Sequence, residues 1–438
     1  MALLSSDERA YGGHAALRVL WFANAGDVVV LPWLPDPEYV FYVAGVTGTD
    51  PRSLTVLAPP PDIDGEDLLT PHRMTDTGFR QQLCAAVREH RVDDVLAIYT
   101  DVAVVDLVDA VGLTDALVGR PFLAARGASL INSKAVFRAL AAGAGVAVAP
   151  GCVVAEPDAA VRAVSSQFAD GHSVMLKKEF QCGGLGNEIV SAMAGLRPVG
   201  SPRVVVLPDD VALADYVARR WDWLTVGGRD RLVVERYLPG CDTVYAEYFL
   251  GTDGLELTGT GQILMEPVAV GEVIPAAPLS TAAHAELVTE SRRLCLSVHT
   301  MGYRGYLSTD AILTRAGDIV FTETNGRISG STHLHRVVRD RLLSDAQRPD
   351  RVLLERVGWA VPSFAAAREL LTRNGLDFDP ATGTGVLITS SHLPDGTVTY
   401  CVVAPDLAAA TAIARRLVSS PDGTEIDRPA AALPGGTR

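Results

Sequence analysis

Apolar and polar residues alternate in short blocks along residues 17–120. Blocks of strand length read LRVLWFA, VVVLP, FYVAGV, SLTVLAP and DVLAIYTD, whereas FRQQLCAAVREH carries its apolar residues at helical spacing. Strands that alternate with helices favour a parallel or mixed α/β domain. Such sheets hold ligands at the carboxyl ends of their strands, here at Thr100 and Asp101. We expect this first unit to span residues 1–128.

A second unit is expected over residues 129–228. Ser133 is placed to cap a helix that Gly143 and Gly145 end. The segment SVMLK then predicts a strand, QCGGLGNE a glycine-rich loop and IVSAM a second strand, and residues 209–224 predict a helix.

From residue 231 the pattern becomes that of antiparallel strands: RLVVERYL, TVYAEYFLG and LELTGTGQILM. A helix over 281–299 leads to a hairpin of GYLSTDAIL and DIVFTETN, and another helix begins near Ser331 and Thr332. We assign 229–345 to one unit and 346–438 to a small α+β appendage. The appendage has a helix at 363–374, the hairpin strands GVLITSS and TVTYCVVA, a helix at 406–418 and a tail, PAAALPGGTR, expected to be disordered. The predicted fold class is multidomain, α/β followed by α+β.

Composition excludes some classes of function. The net charge of −14 argues against a nucleic-acid partner, which requires a basic face. No apolar stretch is long enough to cross a membrane, and the first residues lack a signal pattern, so we expect a cytoplasmic protein. The six cysteines are scattered without a C-x-x-C pair and are best interpreted as small buried residues.

Lysine is rare in this chain. Of the 38 basic residues only Lys134, Lys177 and Lys178 are lysines, which leaves 35 arginines. A general preference for arginine codons would explain the replacement. The positions that keep lysine are then candidates for placing a compact charge on a phosphate, although three survivors by chance is the alternative.

The hairpin at 307–325 gathers polar groups above an apolar layer. Two carboxylates opposite each other repel unless a proton or a cation lies between them, and Mg²⁺ commonly takes one or two carboxylates. The structural alternative is a solvated strand end followed by an Asn-Gly turn. A register symmetric about 316–317 pairs Asp310 with Glu323, Ser308 with Asn325, and Ile312 with Phe321.

The loop after Lys177 has the chemistry of a phosphate lid. Gly184 and Gly186 would let backbone N–H groups approach phosphate oxygens, and the lysine would neutralise charge. The spacing fits neither a P-loop nor a dinucleotide fingerprint, because the loop leads into a strand. Strand alternation alone does not decide between Lys177 and Lys178 for the phosphate contact.

In this order, the motifs INSK, VMLKKEFQCGGLGN, VVERYLPGCD and LSTDAILTRAGDIVFTETNGR resemble the ATP-grasp superfamily over about 130–335. The resemblance implies two α+β subdomains that clamp ATP, after a pre-ATP-grasp domain. It implies ATP contacts from Lys134, Lys177, Lys178, Gly183, Gly184, Gly186, Asn187, Glu235, Arg236, Tyr237, Leu238 and Asp242. It implies ligation of Mg²⁺, with Mn²⁺ as the alternative ion, by Asp310, Glu323 and Asn325. It implies catalytic roles for Lys177 and Arg327, and substrate contacts from Arg327, Ser331, Thr332 and His333.

A narrower resemblance is to the peptide-ligase branch typified by the pheganomycin peptide ligase. It rests on G-x-G-N after the lysine, on NGRISGSTH and on GDVVVLPWLPD. The segment Lys178-Glu179-Phe180 departs from the more acidic segment of that branch.

The resemblance implies an ATP-dependent carboxylate–amine ligase that works through an acyl phosphate. Its partners would be a small-molecule carboxylate and the amine of an amino acid or peptide. The alternatives are carboxylation or phosphotransfer by the same superfamily, or a nucleotide-binding module without catalysis. The oligomeric state stays open, with a homodimer among the alternatives.

Overall fold

The computed structural model describes residues 6–63 and 65–418, so the predicted disordered tail lies outside the described residues. The N-terminal unit is mainly helical and contains one parallel pair of short strands, β1 and β2. Its elements are α1 (Ser6–Ala16), β1 (Val28–Val30), α2 (Pro37–Thr47), β2 (Thr55–Leu57), α3 (Pro71–Met74), α4 (Thr77–His90), α5 (Val102–Ala110), α6 (Arg120–Ala124) and α7 (Gly127–Ile131), with 3₁₀ turns at Leu17–Phe22 and Pro51–Ser53.

Three strands predicted for this unit are wrong. LRVLWFA forms the 3₁₀ turn, FYVAGV lies inside α2, and residues 94–101 contain no strand. Helix α2 is started by Asp36, whose side chain accepts a hydrogen bond from the backbone N–H of Glu38. Asp101 ends no strand; its carboxylate caps α5 by accepting from the N–H of Val104 at 3.1 Å. The expected ligand site at Thr100 and Asp101 therefore loses its structural basis.

The second unit is a five-stranded sheet in the order β3-β7-β4-β5-β6, in which β5 and β6 are parallel and the other neighbours antiparallel. Two helices pack on it through a core that contains Leu176, Leu213 and Val234. The elements are α8 (Lys134–Ala144), β3 (Gly151–Val154), α9 (Pro157–Ala169), β4 (Val174–Lys178), β5 (Asn187–Ser191), β6 (Val204–Val206), α10 (Asp210–Thr225) and β7 (Leu232–Arg236).

The third unit is built on an antiparallel sheet of eight strands in the order β12-β11-β8-β9-β10-β13-β15-β14. The strands of the C-terminal α+β part continue this sheet through the pairing of β10 with β13. The predicted helix near Ser331 and Thr332 is present and becomes a π-helix over Leu334–Leu342. The elements are β8 (Asp242–Leu250), β9 (Leu255–Met265), β10 (Ala269–Ile274), α11 (Thr281–Thr300), β11 (Gly305–Leu313), β12 (Ile319–Asn325), a 3₁₀ turn (Arg348–Asp350), β13 (Val352–Ala360), α12 (Phe364–Arg373), β14 (Gly385–Ile388), β15 (Thr397–Ala404) and α13 (Leu407–Val418).

The two ends of the described chain share one hydrophobic core. Trp21 and Tyr39 pack in the same buried cluster as Trp359 and Val402. The hydroxyl of Tyr39 also donates to the carbonyl of Thr389 at 3.2 Å. The N-terminal unit is therefore fixed against the far end of the large sheet.

Within residues 6–63 and 65–418, no helix has the length and apolar character required to span a membrane.

Candidate active site

The hairpin of β11 and β12 brings together the polar groups that the sequence singles out. Asp310 is paired with Glu323 and Ser308 with Asn325, as predicted. Nearer the turn the register shifts by one residue, so that Ile312 faces Val320 rather than Phe321. The prediction for Ile312 is therefore wrong, because a bulge at Thr322 absorbs the extra residue.

Asp310 is buried among groups that hold its carboxylate in place. Its Oδ1 accepts from the hydroxyl of Ser308 at 2.8 Å, and its Oδ2 accepts from the amide of Asn325 at 3.0 Å. Burial, together with the facing charge of Glu323, raises the pKa of Asp310. The site is thus built to favour a positive charge or a proton between the two carboxylates.

Glu323 is held in its charged form by lysine. Lys134 Nζ lies 2.7 Å from Glu323 Oε2 and also donates to the carbonyl of Gln181 in the glycine-rich loop. Burial by itself would raise the pKa of Glu323, but the charges of Lys134, Lys177 and Arg327 lower it. Lys134 therefore joins the acidic pair to the loop at 181–187.

The two consecutive lysines of β4 point to opposite faces of the five-stranded sheet. Lys177 is buried and forms an ion pair with Glu235, which also contacts Arg138 at 3.0 Å. Lys178 instead stacks over the ring of Trp223 of α10, 4.7 Å from its centroid. Of these two lysines, Lys177 is the one on the side of the sheet that faces Lys134 and the acidic hairpin, and its charge acts on Glu323.

The glycine-rich loop folds back over this face. The N–H of Lys178 donates to the carbonyl of Gly186 at 3.0 Å, and Asn187 donates through its side chain to the carbonyl of Gly200 at 2.8 Å. Gly183 accepts from the N–H of Ala269 at 3.3 Å, which ties the loop to the large sheet. The loop is therefore positioned as a cover between the two sheets.

The segment 235–242 lies at the edge of the same region. Besides the ion pairs of Glu235, Arg236 donates to Gln167 at 3.2 Å and Tyr237 donates to the carbonyl of Arg197 at 3.3 Å. Leu238 is half-buried, and the exposed Asp242 accepts from Gln262 at 3.3 Å. Adenine and ribose contacts from 235–242 stay a prediction.

Arg327 follows the hairpin and is positioned by a residue that we did not predict. Its guanidinium donates to Asn132 Oδ1 at 2.7 Å, and the same oxygen accepts from the N–H of Gly326 at 3.1 Å. Asn132 precedes the Ser133–Lys134 helix start, so its place in the INSK motif was the available signal.

Ser331, Thr332 and His333 point into the molecule behind the loop. The hydroxyls of Ser331 and Thr332 both donate to Glu247 Oε2, at 2.8 and 2.9 Å. His333 is fully buried beside Trp21 and Glu355. Their contact with a substrate stays a prediction.

The acidic hairpin has the donor set of a magnesium site rather than of a zinc site. Among the described residues there is no cluster of three or more His, Cys, Asp and Glu side chains that could hold a metal. Two carboxylates with a neighbouring amide fit Mg²⁺, which keeps water and phosphate oxygens in the rest of its shell. After burial, the facing charge of Glu323 is the next cause of the raised pKa of Asp310, and a cation between the two carboxylates would relieve that repulsion.

Comparison with solved structures identifies this arrangement of sheets. A biotin carboxylase from Campylobacter jejuni, solved as a beta-gamma-ATP complex, superposes with a TM-score of 0.58 at 14% identity, covering 91% of this chain and 87% of that one. The biotin carboxylase domain of the Hydrogenobacter thermophilus 2-oxoglutarate carboxylase gives 0.57 at 14% identity, covering 94% and 87%. The chain has the ATP-grasp fold. An N5-carboxyaminoimidazole synthase from Aspergillus clavatus, solved with ADP and 5-aminoimidazole ribonucleotide, gives 0.54 at 14% identity, covering 91% and 98%.

Family models match the two flanks of the ATP-grasp fold. Residues 16–113 match the Pre ATP-grasp domain, which confirms that domain ahead of the ATP-grasp fold. Residues 366–417 match the PGM1 C-terminal domain. No curated protein matches the chain.

Proposed function

We propose that this protein is an ATP-dependent carboxylate–amine ligase. The observation that carries the proposal is the convergence of Lys134 and Lys177 with the Asp310–Glu323 pair beneath the glycine-rich loop. Lysines suit phosphates, and the acidic pair suits the Mg²⁺ that accompanies ATP. The ADP and ATP complexes named for the similar structures support the same ligand.

In the proposed reaction a carboxylate oxygen of the substrate attacks the γ-phosphorus of ATP, and ADP leaves. An amine then attacks the carbonyl carbon of the acyl phosphate, phosphate leaves, and the amine loses a proton as the amide forms. Bound Mg²⁺, held by Asp310, Glu323 and Asn325, would supply charge neutralisation on the phosphates.

The chain's own residues supply position and charge. Lys134 and Lys177 hold phosphates, and Arg327, fixed by Asn132, holds the reacting carboxylate or the oxyanion. The loop at 181–187 keeps water from the acyl phosphate, which would otherwise hydrolyse.

The test is incubation with ATP, Mg²⁺, hydroxylamine and a panel of carboxylates. We expect ADP and a hydroxamate from wild-type protein and neither from Glu323→Ala. Release of AMP would contradict the acyl-phosphate route. A protein that binds no ATP, measured by calorimetry, would contradict the nucleotide assignment.

A second candidate is ATP-dependent carboxylation, because the similar structures are named as carboxylases and a carboxyaminoimidazole synthase. Bicarbonate replaces the carboxylate panel in the same assay. ADP formation that depends on bicarbonate alone would favour this candidate over amide formation.

A further inference from the structure

A second pair of acids lies on the large sheet, away from the acidic hairpin. Glu272 of β10 is directly opposite Glu355 of β13, so the two side chains share one face with Cβ atoms roughly 5 Å apart. Following the register across β9 and β8 to β11 places them on the same face as Asp310. This register aligns Glu272 with Ile312, so three strand spacings and two residues along the strand separate Glu272 from Asp310, which is about 16 Å.

Among the described residues, the Glu272–Glu355 pair has no lysine or arginine in ion-pair contact with it, and its nearest basic group is His333, whose Nε2 lies 3.5 Å from Glu355 Oε1. Glu272 Oε2 accepts from the hydroxyl of Tyr245 at 3.0 Å, and Glu355 accepts from the hydroxyl of Thr389 at 2.8 Å. Arg18 contributes positive potential from the N-terminal unit without an ion-pair contact. Two neighbouring carboxylates of this kind favour a proton or another positive charge between them.

Glu272 lies against the loop that follows Arg327. It is half-buried, and its Oε1 lies against Gly330. A Cβ at position 330 would stand 2.8 Å from that oxygen, so a side chain there would crowd the carboxylate. Because Gly330 follows Arg327 by three residues, one substrate can extend along this loop from Arg327 to Glu272.

His333 gives an independent indication of a ligand. It is fully buried, its Nδ1 has no hydrogen-bond partner within the described residues, and its Nε2 lies at ion-pair distance, 3.5 Å, from Glu355 Oε1. Buried polar groups are nearly always hydrogen-bonded. A buried imidazole with an unpartnered Nδ1 beside two carboxylates points to a polar group that binds among them.

We propose that Glu272 and Glu355 bind an ammonium or other positively charged group of the substrate whose carboxylate reacts at Arg327. The proposal rests on the proposed ligase function and adds the charge of its substrate. It also sets the length of the substrate, because Glu272 lies about 16 Å from Asp310 across the sheet.

Tetraglycine and N-acetyltetraglycine test this proposal. Four extended residues span about 14 Å, which together with the Glu272 side chain reaches across this separation, and acetylation replaces the positive ammonium by a neutral amide. In the ATP, Mg²⁺ and hydroxylamine assay, we expect wild-type protein to use tetraglycine with a kcat/KM at least about 10-fold higher than that for N-acetyltetraglycine. Glu272→Gln, which keeps an acceptor for Tyr245, should remove this preference by raising the KM for tetraglycine and leave the KM for ATP unchanged.

Three further variants complete the test. Glu355→Gln should act like Glu272→Gln, and Gly330→Ala should impair tetraglycine selectively by crowding Glu272. Glu369→Gln on exposed α12 is the matched control and should keep the preference.

Three results would each overturn the proposal. They are equal use of the two peptides by wild-type protein, no hydroxamate from either peptide, and an unchanged preference for tetraglycine in Glu272→Gln. Hydroxamate from other carboxylates in the same panel would then leave the ligase function standing. Absence of ATP binding would end both proposals.

Discussion

Lys177 and Lys178 are neighbours in the chain, yet β4 directs them to opposite faces of its sheet. Lys177 contacts Glu235 beneath the glycine-rich loop, and Lys178 stacks on Trp223. We expect Lys177→Met to lower kcat/KM for ATP by about 100-fold, equivalent to roughly 2.8 kcal/mol of lost transition-state binding. Lys178→Met should change it only a few-fold. Steady-state kinetics with both purified variants decide the assignment, and equal losses would contradict it.

Asp310 should lower the stability of the metal-free protein. Its pKa in the folded state is raised, so the folded protein prefers the protonated acid. Stability from this group is present at low pH and is lost as pH rises from about 4 through the raised pKa. Asp310→Asn should therefore increase the melting temperature of the metal-free protein more at pH 8 than at pH 5, while abolishing turnover.

The pKa of Glu323 is shifted in the opposite direction, so Glu323 does not interfere with the comparison of melting temperatures at pH 5 and pH 8. Its pKa is lowered, so its contribution is lost only as pH falls below the ordinary carboxyl range. Melting curves of wild-type and Asp310→Asn protein at the two pH values provide the measurement. An equal difference in melting temperature at pH 5 and at pH 8 would show that the charge of Asp310 does not destabilise the folded protein.

The chemistry of single residues was predictable where it depends on local pairing. Asp310 and Glu323 are joined by one short turn, so their juxtaposition followed from the strand period. The bulge at Thr322 could not be foreseen, because it depends on packing that no local pattern encodes. Glu272 and Glu355 are brought together by strands about 80 residues apart in the chain, so the sequence carried no local sign of that pair.

At the scale of elements, the glycine-rich loop depends on the close approach of Gly184 to the backbone of Gly200. Gly184 has a φ of 83°, and a Cβ there would stand 2.9 Å from the carbonyl oxygen of Gly200. Gly184→Ala should therefore hinder closure and raise the KM for ATP by about 10-fold or more.

Gly143→Ala is the matched control for the loop. Gly143 lies in α8, where an added methyl group would meet open space and the backbone is not left-handed. Alanine should therefore leave the KM unchanged and add up to about 1 kcal/mol of stability. Similar KM values for both variants would indicate that the loop does not close over ATP.

Element prediction succeeded for the clearly amphipathic helices and for several strands, and it failed for two short apolar-rich segments of the N-terminal unit. α4, α8, β4 and the β11–β12 hairpin match their patterns, whereas LRVLWFA and FYVAGV resemble strands and are helical. A short segment that is apolar on all sides has no period by which to tell a helix from a strand. In α2 the deciding signal was the Asp36–Pro37 start.

At the scale of the whole molecule, the C-terminal part is integral to the large sheet. β13 pairs with β10, and residues of the N-terminal unit complete the core on β13 and β15. A chain that ends at residue 345 should therefore expose the edge of β10 and lose much of that core. We expect it to show no cooperative melting transition by circular dichroism. A sharp transition near that of the full chain would contradict this account.

Tyr39 and Thr389 touch although 350 residues separate them in the chain. A ribosome that adds residues one by one delivers Tyr39 long before its partner exists. Contacts between residues so far apart in the chain slow folding. Until the C-terminal strands are synthesised, the N-terminal segment keeps apolar side chains exposed to other proteins. During synthesis this fold would thus depend on chaperone protection of its first segment until the last strands emerge.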